Sequence, residues 1–363
     1  MAHAANGDLY YAFSQSMYVS DPAEPGLPSL RVRVRTRSAG ASAELVAPPV
    51  AATATTASLL ALRGDAAGNL YLLFSTYRLA TDTTSYFLYR YAAGETSPTL
   101  RNLPAPFILS NRTGAGFHVD AASGKLWLAG TRFTSTSSFA AAASSGDGGA
   151  TWTVRDATAA SGSQAFGVTT DSSGNPVLAG AKAFGDSFGT AWTLYRSADG
   201  GATFIEKDSF NPTSALEDSA SRAEYVAITD TGRIVVAGSD LTDPATAATS
   251  VVVRESSDGG ESWSERARLG DSSGGFYQAR GLVTGQAGTF LPILEGKKPA
   301  AFLLGQLPGA SIWQSTLSIT NLAEGEPYMQ AAEHDPSTGD LVLMTNYLKY
   351  SARESSLRIS VYR

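Results

Sequence analysis

The chain has no cysteine in its 363 residues. That excludes a disulfide framework, a thiolate metal site and a cysteine nucleophile. No stretch approaches 18 uninterrupted apolar residues, so no membrane-spanning segment is expected. Charged residues make up only 17% of the chain, the net charge is −6 and long basic runs are missing. A phosphate-binding surface, and with it a nucleic-acid partner, is therefore not expected. The three histidines, His3, His118 and His334, are far apart in sequence and lack metal-ligand spacing. His118 and His334 are read as caps on inner-strand turns, with a facing pair beside Asp120 or Asp335 as the metal-binding alternative. No P-loop or dinucleotide fingerprint occurs, and no cofactor is expected.

What the chain does have is glycine (36 residues) and a 43% hydrophobic content. This is the profile of many short strands joined by tight turns. A glycine followed by alternating apolar residues recurs as GDLYYAF at Gly7, GNLYLLF at Gly68, GKLWLAG at Gly124 and GNPVLAG at Gly174. It continues as GRIVVAG at Gly232, GTFLPIL at Gly288 and GDLVLMT at Gly339, with successive spacings between 50 and 61 residues. Internal repetition at that period marks a solenoid, propeller or array.

The fifth unit shows the pattern in full. AEYVAIT reads as a strand, DTG as a turn, RIVVAGS as a second strand and DLTDPATAAT as a loop. SVVVRES follows as a third strand, SDGG as a turn and ESWSERARL as a fourth strand. Alternation and Gly/Asp turns make this a four-stranded antiparallel meander. Such a sheet cannot bury both faces alone, but radial stacking against its copies does so. The expected fold is all-β, a single β-propeller domain over 7–363 with seven four-stranded antiparallel blades; six or eight are the less favoured counts. The first unit is read as lacking its first strand and the last its fourth. Residues 1–6 are read as a signal-cleavage remnant or an added start, and the Ala-x-Ala pattern points to a secreted, periplasmic or cell-surface protein.

Three turns carry nearly the same phrase: SGDGGATW, SADGGATF and SSDGGESW. The matched residues are Ser145, Asp147, Gly149 and Trp152; Ser197, Asp199, Gly201 and Phe204; Ser256, Asp258, Gly260 and Trp263. The spacing resembles the Asp-box of sialidases and other BNR-type propellers. Turn chemistry explains each residue: the carboxylate accepts backbone N–H bonds, the glycines tolerate positive φ, and the aromatic packs against the neighbouring blade. The resemblance implies that these turns lie on the face opposite the ligand site, so their role is structural.

The opposite face then carries the loops between second and third strands (near 16–29, 77–85, 131–139, 181–190, 239–250, 295–299 and 347–354) and the links between blades. Candidate ligand-binding residues there are Tyr77, Arg78, Arg132, Arg222, Tyr225, Tyr277, Arg280, Glu326 and Tyr328. Aromatic rings with arginines and carboxylates suit a glycan, since rings stack on pyranose faces and charged groups take hydroxyls or a carboxylate. The sialidase resemblance implies three arginines on one substrate carboxylate, a Tyr–Glu nucleophile pair and an Asp acid/base. Its Arg-Ile-Pro segment is missing here, and Leu30–Ser38 is Arg-rich but alternates along a strand. The favoured reading is a secreted or surface-displayed recognition module binding a glycan or protein through its loop face, with no catalytic residue assigned. The alternative is a sialidase-like glycoside hydrolase or lyase acting on an acidic sugar.

Overall fold

Successive side chains of a strand point to opposite faces, and here both faces of each repeat are apolar, so each repeat has to be covered twice. In blade four, Leu178 joins an apolar cluster with blade three while Val177 and Ala179 join one with blade five. The rule repeats along the chain: Tyr71 and Leu73 face blade three while Leu70, Leu72 and Phe74 face blade one. The result is seven small antiparallel sheets in a ring, a seven-bladed β-propeller. The structure, a computed structural model, describes residues 2–3, 9–15, 29–35, 42–51, 54, 56–105, 107–109, 115–183, 189–211, 220–243, 248–270, 277–286, 288–295, 300–308, 310, 312–319, 326–334, 338, 340–349 and 354–362.

Blade four has the plain form, with strands Ser163–Thr170, Pro176–Ala183, Thr190–Arg196 and Ile205–Phe210 running outward from the ring centre. In blades three and six the inner strand is split. Phe107–Leu109 and Phe117–Val119 both pair with Leu126–Phe133, and Tyr277–Ala279 and Val283–Gly285 both pair with Gly288–Glu295. Blade seven is a three-stranded sheet, as expected from the sequence. Blade one corrects the expectation of a missing first strand: Ala2–His3 pairs with Tyr10 and Leu9 and supplies it. Leu9 and Tyr11 of blade one meet Val342, Met344 and Ile359 of blade seven, which closes the ring.

The Leu-Ala-Gly and Val-Ala-Gly ends of the repeated second-strand motif have a steric cause. A Cβ on Gly180 would sit 2.1 Å from the Gln164 carbonyl oxygen, and one on Gly238 would sit 1.9 Å from that of Arg222. These carbonyls belong to the inner strand, at the register shifts between Ala165 and Gly167 and between Ala223 and Tyr225. The glycine therefore lets the inner strand bulge against the second strand.

The three Asp-Gly-Gly hairpins link third and fourth strands of blades three, four and five, and they have one geometry. Ser145 Oγ donates to Asp147 Oδ1 and accepts the Gly149 N–H, at 2.7 and 2.8 Å. Asp147 also takes the Thr151 hydroxyl and the Ala150 and Thr151 N–H groups. Ser197 with Asp199, and Ser256 with Asp258, repeat the arrangement. Gly148 and Gly149 have φ of 70° and 88°, the left-handed region that side chains resist. The aromatic then seals the joint with the preceding blade. Trp152 Nε1 donates to Asn102 O, Trp263 Nε1 to Lys207 O, and Phe204 packs into the blade three–four cluster.

Two outcomes are expected. Gly180→Ala and Gly238→Ala each cost roughly 2–4 kcal/mol in denaturant unfolding, because a methyl is forced onto a carbonyl that cannot retreat. Gly146→Ala, where a Cβ meets nothing within 4 Å, leaves the midpoint close to wild type. The second concerns acid. Bonds from the Thr151, Thr203 and Ser262 hydroxyls, with the backbone N–H bonds, hold the three turn carboxylates well below the usual carboxylate range. The unfolded chain therefore takes up these protons first. The turns' contribution is complete above about pH 4 and is lost as pH falls through the lower folded values. Thermal melts below about pH 4 should fall less steeply for the triple Asp147→Asn, Asp199→Asn, Asp258→Asn variant than for wild type; equal slopes would contradict this.

Candidate functional site: the loop rim

Strand direction alternates within each blade, so the Asp-Gly-Gly hairpins emerge on one rim and the second-to-third hairpins with the inter-blade links on the other. Much of that loop rim (16–28, 110–114, 184–188, 212–219, 244–247, 271–276, 296–299, 320–325 and 350–353) lies outside the described residues. Glu326 and Tyr328 sit on the inner strand of blade seven, opposite Leu348 and Asn346; their side chains are outside the described set.

Blade two presents the best defined part of the rim. Its second strand ends at Tyr77 and Arg78, a single 3-10 turn spans Leu79–Thr81, and the third strand begins at Thr83. Asp82 closes the turn with φ 49°, the one non-glycine residue with positive φ among the described residues. Aspartate tolerates this conformation better than most side chains. Its carboxylate accepts the Tyr77 hydroxyl at 3.1 Å. That hydrogen bond, then burial and the Asp82 charge, raises the phenol above its ordinary pKa. Leu79 stands 67% exposed at the tip, and Arg78 is exposed beside it.

Arg132 is consumed within its own blade: Nε and Nη2 reach the two oxygens of Asp156 on the outermost strand, at 2.6 and 2.5 Å, over the Phe139 ring. Lys182 makes the corresponding pair with Glu206 in blade four. In blade five the polarity is reversed, with Asp240 on the second strand and Arg268 on the fourth, 2.7 Å apart. Asp240 is 0% exposed and also accepts the Ser221 hydroxyl. Removing Arg268 would strand a buried charge, a loss of about 3–5 kcal/mol, against about 0–1 kcal/mol for an exposed pair such as Arg31–Glu44. Arg132 is accordingly placed in blade packing rather than on a ligand surface.

Tyr225 is also placed elsewhere than predicted. It is 4% exposed within the blade five–six core, and its hydroxyl donates to Ala279 O. The inner-strand face was legible from alternation, but which face turned to the neighbouring blade was not. Arg222, Tyr277 and Arg280 are partly exposed at the loop-rim ends of the inner strands of adjacent blades five and six. The Tyr277 backbone is fixed by the Thr249 hydroxyl, which accepts from its N–H and donates to its carbonyl.

The histidine readings divide: His334 is buried with neither ring nitrogen hydrogen-bonded, so it caps no turn, whereas His118 joins one. His118 Nε2 lies 2.9 Å from the Thr170 hydroxyl, which donates to Asp120; Asp120 in turn accepts the Ala122 and Ser123 N–H groups of the inner hairpin. Burial, then the Arg63 charge, lowers the His118 pKa to about 4. It is a neutral member of a turn network, and no metal-binding cluster occurs among the described residues.

One concavity went unread in the sequence. A cleft of about 580 Å³ opens on the opposite rim between blades five and six, bordered by Arg233, Glu255, Arg266 and Gln306. Its signal was present. Gln306, Pro308, Ala310 and Trp313 occupy the offsets that Ser, Asp, Gly and the aromatic occupy in the three matched turns, with different residue types.

No family model matches the chain, and no curated protein matches it. Solved structures do resemble it. A GH74 xyloglucanase from Xanthomonas campestris superposes with a TM-score of 0.60 at 15% identity, over 96% of this chain and 55% of that one. A Hadza microbial sialidase superposes with a TM-score of 0.53 at 14% identity, over 93% of this chain and 73% of that one. At such identities the likeness concerns the fold alone, which is that of a β-propeller.

The blade-two hairpin yields a direct expectation. Asp82→Gly keeps the backbone and removes the acceptor, so the Tyr77 phenol should titrate closer to its ordinary value. Ultraviolet titration of tyrosinate, with Tyr77→Phe identifying the signal, reads the shift; an unmoved Tyr77 would mean that Asp82 does not govern it.

Proposed function

We propose that this propeller is a carbohydrate-recognition module that takes a glycan on its loop rim, through Tyr77 and Arg78 of blade two and Arg222, Tyr277 and Arg280 of blades five and six. The observation that carries this reading is the blade-two hairpin. A partly exposed tyrosine stands there beside an exposed arginine and leucine, on a turn fixed by the left-handed Asp82 and its bond to Tyr77. A ring with one free face next to a cation suits a pyranose, whose C–H face stacks and whose hydroxyls take the charged donor. A rigid scaffold with binding residues on its loops is the usual division of labour, and the fold is shared with carbohydrate-active proteins.

The binding reading is preferred to hydrolysis because many described charges are already engaged. Asp147, Asp199 and Asp258 hold turns, and Arg132, Lys182 and Arg268 hold blades.

A glycan array probed with wild type should give a defined set of ligands. Arg78→Ala, Arg222→Ala and Arg280→Ala should each weaken binding by about 10-fold or more, the worth of a charge-assisted hydrogen bond. Arg132→Ala should leave affinity within about 3-fold. Binding that ignores all three rim arginines, or steady turnover of a fluorogenic sialic acid substrate, would overturn the reading in favour of another surface or of a hydrolase.

A further inference from the structure

Blade six departs from the turn chemistry of its neighbours, and the departure leaves an opening. In blade five, Ser256 and Asp258 fill the turn with their own bonds. In blade six the corresponding positions are Gln306 and Pro308, so the hydroxyl and the carboxylate are both gone. The aromatic at the last offset, Trp313, is retained and buried, but its indole N–H has a new partner. It donates to Glu255 Oε1 at 2.9 Å, instead of to a carbonyl of the preceding blade as Trp152 and Trp263 do. Glu255 is almost wholly buried, and its other oxygen is shared by Arg233 Nη1 at 3.1 Å and Arg266 Nε at 3.3 Å.

Gln306 lies at the wall of this cleft, 2% exposed, with neither its amide nitrogen nor its amide oxygen bonded. Arg233 Nε is likewise buried without a partner. An unmet buried amide is destabilising, and native structures rarely leave one without a reason. Three unmet polar atoms, the nitrogen and oxygen of one amide and a guanidinium N–H, belong to two residues that border one cleft. Its volume of about 580 Å³ falls within the range of small-molecule sites.

We infer that this cleft is a binding site for a neutral saccharide unit, on the rim opposite the loops. Charge argues for neutrality, since Arg233 and Arg266 are balanced along the cleft by Glu255 and Asp230. The polar wall offers a carboxamide that donates and accepts in one plane, the complement of neighbouring sugar hydroxyls. The other wall is apolar: Leu307, 47% exposed, continues into Pro308 and Ala310 and matches the C–H face of a ring. The site shares no residue with the loop rim and stands whether or not that rim binds a glycan.

The test uses the full chain, 15N-labelled, titrated with glucose, galactose, N-acetylglucosamine and cellobiose. The Trp313 indole N–H resonance, identified by Trp313→Phe, is the reporter. At least one sugar should shift it saturably with a dissociation constant of about 1 mM or tighter. Gln306→Leu should weaken that sugar at least 10-fold while unfolding at the same or a higher temperature, because it removes an unpaired buried amide. Arg280→Ala on the loop rim should leave the titration unchanged. A titration indifferent to Gln306→Leu, no saturable shift from any of the four sugars, or a site that answers only to sialic or glucuronic acid would overturn the inference.

Discussion

The whole molecule rests on the fact that each blade has two apolar faces and can cover neither by itself. Seven apolar clusters lie between successive sheets, one at each joint, the last of them between blades seven and one. Alternation along a single second strand feeds two of them at once, so each blade is a wedge held from both sides. The hydrophobic contribution is therefore non-local, although the strands that make it are short and locally defined. Everything finer, including the glycines that let inner strands bulge and the aspartate hairpins that fix the outer strands, adjusts the fit of wedges whose placement is already set.

The two rims follow from this arrangement and are built differently. On the hairpin rim of blades three to five, side chains spend their hydrogen-bonding capacity on the backbone, and aromatic residues tie each turn to the blade before it. On the loop rim, Arg132 locks onto Asp156 within its own blade, Tyr77 is partly exposed and bonded to Asp82, and Arg78 is exposed. Blade six breaks the hairpin rim's rule at Gln306 and Pro308, and the cleft opens where the rule breaks. A repeated motif is informative twice: where it recurs it reports scaffold, and where its spacing persists with altered residues it marks a change of use.

Much of the architecture was legible from residue spacing because the governing interactions are local. Period-two alternation after Gly68, Gly124, Gly174 and Gly232 located the second strands, and the Asp-Gly-Gly phrases located the hairpins between third and fourth strands. The two-residue strand Ala2–His3 was not legible, since two residues carry no period. Nor were the split inner strands of blades three and six, which depend on pairing across the sheet. Of the candidate residues, Tyr77 and Arg78 lie on the second-to-third hairpin of blade two, where the meander reading put them. Tyr225 and Arg132 were misplaced because residue type does not disclose whether a tyrosine turns toward the next blade or whether an arginine has a carboxylate two strands away. The cleft was passed over because Gln306 and Pro308 no longer look like the turn they replace.

The reversed ion pair of blade five bears on how a chain of look-alike repeats reaches one structure. Blades three and four place the cation on the second strand and the anion on the fourth; blade five does the opposite, with Asp240 inside and Arg268 outside. In the register of the two sheets, the outer strand of blade four carries Ser209 where that of blade five carries Arg268, so it would not bring the cation that pairs with the buried Asp240. The inverted polarity thus gives the outer strand of each of these repeats a charge complement that matches its own blade.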